Sequence, residues 1–324
     1  VSTELWLIEQ RGGTSRRDDS AVWILEEGEV KPGADDGRRI AEVRSGLLCH
    51  GGVRTAMAAA SDDEVDRALA AVHDAAYLAA LDEAPPEPVV MEQLTPPGLP
   101  PDIPVSAGLV AAAREGVRTA IGAAARLRDG ERFAYALCRP PGHHAGPNWF
   151  AGYCYLNSAA AAALTLREGG LGPVGILDID LHYPNGTAAI VAAMEDTRLH
   201  SLHAWPVTNV AARTVTPYNE RERAIEFSGS PGVDTYLAAV ARSLEALAES
   251  SEALVVSLGY DIVKGDPHGS WSFSPTIFAQ IGRLLAGTGM PICIVQEGGY
   301  ALTTLAACSY AFAAGLLEEA VVPV

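Results

Sequence analysis

Four places in the chain set residues that can hold a metal or move a proton directly after an apolar run. After RFAYALC come Arg139, Pro140, Pro141, Gly142, His143 and His144. The run GPVGIL ends in Asp178, Asp180 and His182. ALVVSLGY is followed by Asp261 and then GDPHG, and PICIVQ by Glu297, Gly298, Gly299 and Tyr300. The types are those of metal ligands, general bases and a phenol donor. Read singly, each has an ordinary explanation. Asp180 and His182 share one face of an extended segment and suit one divalent ion, or are plain strand-end polar residues. Asp261 could cap a helix. The two histidines could be one packed and one solvated, and Gly-Gly-Tyr could be a turn with a packed ring. The coincidence of all four at corresponding strand ends favours chemistry, because open α/β sheets bind ligands beyond the carboxyl ends of their strands.

The elements that must position these residues are legible as alternation. Strands are expected at TELWLIEQ, RFAYALCRP, GPVGILDID, ALVVSLGYD and PICIVQEGGY. Helical periodicity is expected at 105–127, 187–195, 234–250 and 275–289. Continuous apolar strands between helices imply a mainly parallel sheet covered on both faces, a three-layer α/β/α fold. The 324 residues are expected to form a single domain over 1–324. Residues 85–104 hold eight of the 21 prolines. This stretch cannot be a helix interior or central strand, so it is either a plain surface loop or one shaping a pocket rim.

Composition narrows the partners. A net charge of −17 repels phosphates, so no nucleic acid is expected, and a cationic substrate is favoured. The acidic balance serves solubility equally well. No run of about 20 uncharged apolar residues occurs, so no membrane span is expected. The opening VSTELWLIEQRGG is too polar for a signal peptide, and a cytoplasmic location is expected. Of the five cysteines, Cys138, Cys154 and Cys293 lie in or beside apolar runs and are read as buried thiols. The high Ala, Gly and Arg content suggests a GC-rich bacterial source.

Together RPPGHHA (139–145), GYCYLN (152–157), ILDIDLHYPNGT (176–187), SLH (201–203), SLGYDIVKGDPHGSWSFS (257–274) and QEGGY (296–300) resemble the histone deacetylase superfamily of the arginase/deacetylase fold. VHDAAYLAAL at 72–81 resembles its His-x-x-x-Tyr-Leu helix. The QEGGY and GDPxG forms are most similar to the bacterial acetylpolyamine amidohydrolase branch and its class II relatives. The resemblance implies zinc held by Asp180, His182 and Asp261, although so oxygen-rich a set also suits Fe²⁺ or Mn²⁺. It implies His143 and His144 as base and acid, partnered by Asp178 and Asn185, and Tyr300 as the oxyanion donor. It implies Asp102 as a rim carboxylate and Gly152 and Tyr153 as a tunnel wall. It also implies an inner monovalent-cation site, for K⁺, drawn from Asp178, Asp180, His182, Ser201 and Leu202. For Ser201 and Leu202, ordinary strand packing is the alternative. The expected activity is removal of an acyl group from an acetylpolyamine, an acetyl-lysine or a small biosynthetic intermediate. The expected partners are that acylated amine and, by resemblance, a second copy of the chain.

Three departures stand out. His182-Tyr183-Pro184 replaces the family's His-His-Gly. VKPGADDGRRI gives no clear match to its N-terminal His-Pro-Glu-x-Pro-x-Arg run, which leaves the N-terminal rim and any dimer contact open. His268 stands where relatives carry Leu or, in polyamine-selective ones, Glu; it could hydrogen-bond a polar substrate or simply cap a turn. Two other functions remain. A ureohydrolase would need further ligands for a second metal, which Asp178-Ile179-Asp180-Leu181-His182-Tyr183 does not supply. A catalytically silent binding module would usually have lost ligands or the tyrosine, and this chain keeps them.

Overall fold

The computed structural model describes residues 4–11, 22–205 and 221–318. Thr3, where the first expected strand begins, lies outside the described residues. Ten strands are described: β1 (Leu5–Glu9), β2 (Trp23–Glu26), β3 (Glu29–Pro32), β4 (Val53–Met57), β5 (Phe133–Ala136), β6 (Val174–Asp178), β7 (Thr197–Trp205), β8 (Glu222–Ser228), β9 (Ala253–Leu258) and β10 (Ile292–Gln296). The helices are α1 (Gly37–Leu48), α2 (Asp62–Val72), α3 (Ala75–Asp82), α4 (Ala107–Arg128), α5 (Ser158–Glu168), α6 (Asn185–Val191), α7 (Val233–Ala248), α8 (Ile277–Gly287) and α9 (Leu302–Leu317).

Eight strands form one sheet in the order β4-β1-β5-β10-β9-β6-β7-β8, every described pairing parallel. The expected three-layer fold is present, and the sheet is parallel throughout rather than mainly so. Its central strands are apolar on both sides. In β9, Leu254, Val256 and Leu258 enter one core while Ala253 and Val255 enter the other; in β10, Ile292 and Ile294 oppose Cys293 and Val295. Helices α1, α7, α8 and α9 cover the first face, and α4, α5 and α6 the second. Fully burying one such side chain contributes roughly 1.5–3 kcal/mol, so the sheet centre is its most firmly held part. Cys138, Cys154, Cys293 and Cys308 are buried free thiols, and Cys49 is exposed.

Helix starts are locally encoded. Ser61 and Glu64 form a reciprocal cap on α2, and Ser106 caps α4. The helix expected at 187–195 instead runs Asn185–Val191, opening against the His143–Ala145 loop. There Gly186 is needed for space: a Cβ would lie 2.3 Å from the Ala145 carbonyl oxygen. A third apolar cluster, including Val22, Tyr77, Leu94, Ile103, Phe150, Tyr153 and Tyr300, supports the C-terminal edge of the sheet. Among the described residues no helix is long and apolar enough to cross a membrane.

The candidate active site

A cavity of about 350 Å³ opens at the C-terminal edge of the sheet. His143, His144, Asp180, His182 and Tyr300 line its floor; Gly152, Tyr153 and His268 form its wall. Pro100 to Ile103 and Ile24 to Glu26 surround its mouth. Only the last residues of the proline-rich stretch reach the cavity. The rest carries a short 3-10 turn at Glu92–Leu94 and a Val89–Val105 bridge. The β2–β3 hairpin, which the sequence did not disclose, supplies the opposite lip and is joined to it by Leu25 N donating to Asp102 O at 2.8 Å.

The metal-ligand set converges. His182 Nδ1 lies 3.2 Å from Asp180 Oδ1 and 3.0 Å from Asp261 Oδ2. One ligand atom from each of the three residues falls within 4.8 Å of the others. Donors about 2.0–2.2 Å from one tetrahedral ion stand about 3.3–3.6 Å apart, so these ligand atoms are close enough to share one zinc-sized ion after small adjustments. Glycines clear the space around the carboxylates. A Cβ on Gly259 would come within 2.3 Å of Asp180 Oδ2, and one on Gly298 within 2.5 Å of the same atom. Backbone N–H groups aim the carboxylates: Gly298 N donates to Asp180 Oδ2 at 2.9 Å and Leu181 N to Asp261 Oδ1 at 3.0 Å. Burial and the neighbouring Asp180 push Asp261 up to about 7, whereas against its burial the two carboxylates push His182 up to about 10. The site is built for added positive charge.

The two histidines sit side by side, ring centroids 4.1 Å apart. His143 Nδ1 is 3.2 Å from Asp178 Oδ2, and its Nε2 is 3.6 Å from Asp180 Oδ1. His144 Nδ1 is 2.7 Å from Asn185 Oδ1. The oxygen partners put the Nδ1 protons on both rings and leave the Nε2 atoms for the cavity. Their environments split their basicity. Despite burial, Asp180 and Asp178 push His143 up to about 10, while burial and the nearby His143 pull His144 well below the ordinary histidine value.

Tyr300 is held by its backbone: its N–H donates to Asp266 Oδ2 at 2.6 Å and that of Ala301 to the same oxygen at 3.0 Å. Burial pushes the phenol well above its usual range, so it stays a proton donor. The Arg39 guanidinium stacks 4.3 Å from its ring centroid. Arg39 is buried, paired with Asp35, and donates to the Gly299 and Glu297 carbonyls. Thus the unmatched VKPGADDGRRI segment delivers a cation beneath the tyrosine. Arg39, Asp35 and Asp266 were not singled out from sequence; the only signal was an arginine in an otherwise unassigned segment and an aspartate inside the quoted GDPHG.

The softer expectations also find places. Asp102 Oδ2 accepts from Gly152 N at 2.8 Å, and burial pushes this carboxyl up to about 6. Tyr153, at φ +69°, accepts from Ala34 N and bonds His268 Nε2 at 3.0 Å. His268 is therefore part of the wall, edge-on to Tyr300 at 4.9 Å, with its turn capped by Asp266 Oδ1. Ser201 and Leu202 are buried on β7, Ser201 in register with Asp178, but do not line the cavity. Tyr183 turns away from the ligands and donates to Glu222 at 2.6 Å on β8. His73 and Tyr77 of the 72–81 segment brace the site from below. His73 Nδ1 meets Gly146 O at 2.8 Å, its Nε2 accepts from Asn157 N at 3.0 Å, and Tyr77 donates to Tyr155 O.

A wholly parallel eight-stranded sheet covered by helices on both faces, with its site at the carboxyl edge, is the arginase/deacetylase class of fold. Within that class the chain belongs to the histone deacetylase family: the histone deacetylase domain matches residues 36–316. It is 35% identical over 218 residues to acetylpolyamine amidohydrolase 1 of Pseudomonas aeruginosa, a match covering 63% of this chain and 61% of that protein. It is 31% identical over 213 residues to histone deacetylase 8 of Arabidopsis thaliana, covering 58% of this chain and 54% of the relative. The match thus spans about three fifths or less of these relatives' length. The crystal structure of an acetylpolyamine aminohydrolase from Burkholderia pseudomallei superposes with a TM-score of 0.80 at 27% identity, over 97% of this chain and 98% of the other.

Proposed function

We propose that this chain is a zinc-dependent amidohydrolase, acting as one catalytic domain, that removes an acetyl or similar short acyl group from an amine of the acetylpolyamine kind. The observation that carries this reading is the convergence of His143, His144, Asp180, His182 and Tyr300 on the floor of one cavity. Zn²⁺ held by Asp180, His182 and Asp261 would supply Lewis acidity toward an amide carbonyl and acidify water. The remaining work falls to the protein. The two histidines, oriented by Asp178 and by the uncharged Asn185, would between them take a proton from the attacking water and return it to the departing amine through their Nε2 atoms. The difference between a carboxylate and an amide partner tunes the two rings apart. Tyr300 donates its O–H to the oxygen on which negative charge develops. Tyr153 and His268 confine the acyl-bearing chain and exclude water.

Substrate choice follows from the mouth. His268 is tied to Tyr153, and burial lowers its basicity, so it offers no charge to a substrate ammonium. The carboxylates at the mouth are Asp102 and Glu26. A cationic amine reaching past the wall would meet those groups and the acidic surface. The test is acetate release by zinc-loaded protein from N-acetylputrescine, N-acetylcadaverine and an acetyl-lysine peptide, with Tyr300→Phe as control. Turnover of the diamines above the peptide is expected, and the phenylalanine variant should lose about a hundredfold or more in kcat. Zinc-bound protein that cleaves none of them would sink the acyl-amine assignment.

A further inference from the structure

One fully buried carboxylate near the site has no part in the chemistry above. Glu297, just beyond β10, is 0% exposed. Its Oε2 accepts from two consecutive backbone groups, Gly142 N at 2.7 Å and His143 N at 3.1 Å. Its Oε1 accepts from Ser257 Oγ at 3.3 Å, at the end of β9. Arg39 meets only its backbone carbonyl, and among the described residues no lysine or arginine is bonded to the carboxylate. Burial pushes this carboxyl up to about 7 against the pull of the nearby His143, and an apolar residue would fill the volume more cheaply.

The position explains the expense. The loop carrying His143 and His144 leaves β5 and must seat its backbone before either ring can be aimed. On one side it abuts the start of α5: a Cβ on Gly142 would lie 2.8 Å from both Leu156 O and Ser158 N. Glu297 holds the other side. Two N–H groups converging on one oxygen fix the two peptide planes on either side of Gly142, and the second of them bears on the direction of the His143 Cα–Cβ bond. The Asp178 contact at 3.2 Å sets only the rotation of that ring. Ser257 stops the carboxylate from swinging away.

We propose that Glu297 is a positioning residue for the histidine pair, its reach from β10 setting where the His143 ring stands over the cavity floor. The inference rests on the amide-hydrolysis reading for its kinetic consequence, but not for its structural one. Reach and the carboxyl group can be separated. Glu297→Gln keeps the length, its amide oxygen accepting the two N–H groups and its amide nitrogen donating to Ser257 Oγ. Glu297→Asp keeps the carboxyl group and withdraws the oxygens by one methylene, about 1.5 Å. Misplacement of a reacting group by about 1 Å can cost about a hundredfold.

The experiment measures kcat and KM of both variants on an acetylated diamine, at equal zinc content. Amide hydrogen exchange over residues 140–146 is measured alongside. Expected is a glutamine variant within a few-fold of the parent, and an aspartate variant down at least about tenfold in kcat with KM unchanged. Exchange should accelerate in the aspartate variant alone. Should that variant fail to fold, Ser257→Ala serves, with kcat several-fold lower at constant KM. An aspartate variant as active as the glutamine one, or an unchanged Ser257→Ala, overturns the proposal. If the parent cleaves no acetylated amine, the hydrolysis reading falls, while hydrogen exchange still decides the role of Glu297.

Discussion

At the scale of single residues, the division of labour is between groups that touch the reacting atoms and groups that choose the molecule brought to them. The floor of the cavity is heavily bonded; its mouth is not. Glu26 stands there 60% exposed, 3.2 Å from Lys31 on the other strand of the hairpin. Exposed pairs of this kind contribute little, a median of about 0–1 kcal/mol, so the ammonium of a substrate of the proposed kind would displace the lysine. Glu26→Gln is expected to raise KM for an acetylated diamine about three- to tenfold, leave kcat unchanged and spare an uncharged N-acetyl alkylamine. Equal loss on the charged and uncharged substrates would remove Glu26 from recognition. The reacting residues were readable in the sequence because each follows an apolar run. Glu26 was not: it too follows an apolar run, Val22 to Leu25, but the Glu-Gly-Glu after it reads as an ordinary turn.

At the scale of elements, site precision comes from helices and loops pressed too closely for any extra atom. Helix α6 begins directly under the His143–Ala145 loop, where a Cβ on Gly186 would overlap the Ala145 carbonyl group. Gly186→Ala should push that loop toward the cavity, lower kcat by about tenfold or more and cost about 1–3 kcal/mol of stability. Kinetics and a urea titration measure the two effects; full activity would mean α6 yields instead. The central strands β5, β6, β9 and β10 were legible because burial on both faces leaves long apolar runs. The outer strands β4 (VRTAM) and β8 (ERAIEFS) were not, since their side chains are largely half-buried or exposed and their sequences mixed. β7 was masked differently. Its histidines and serine, His200, Ser201 and His203, break the apolar run although all are buried.

At the scale of the whole molecule, the parts of the site share one scaffold, and His73 reports on it. Burial pulls this imidazole down to about 4, below the value of about 6.5 in an unfolded chain. Both forms are neutral above pH 6.5. As pH falls from there to about 4, the unfolded chain binds a proton that the folded one resists, so stability is lost across that window. The loss from this group approaches about 3 kcal/mol. His73→Gln should flatten that part of the stability–pH curve relative to the parent, measured by urea unfolding at pH 7, 6, 5 and 4. Parallel curves would mean that His73 is protonated in the fold.

The place of β10 in the sheet has a consequence for biosynthesis. This strand, the last of those described, lies between β5 and β9 near the sheet centre and carries the segment that leads to Glu297 and Tyr300. While the chain is still emerging from the ribosome, β5 and β9 therefore expose unpaired inner edges, and the halves they belong to have nothing to join them. Such edges attract foreign strands. Between the emergence of β5 and that of β10 the inner edge of β5 waits without its partner, and the histidine support, the tyrosine and the closed sheet are completed together when β10 docks.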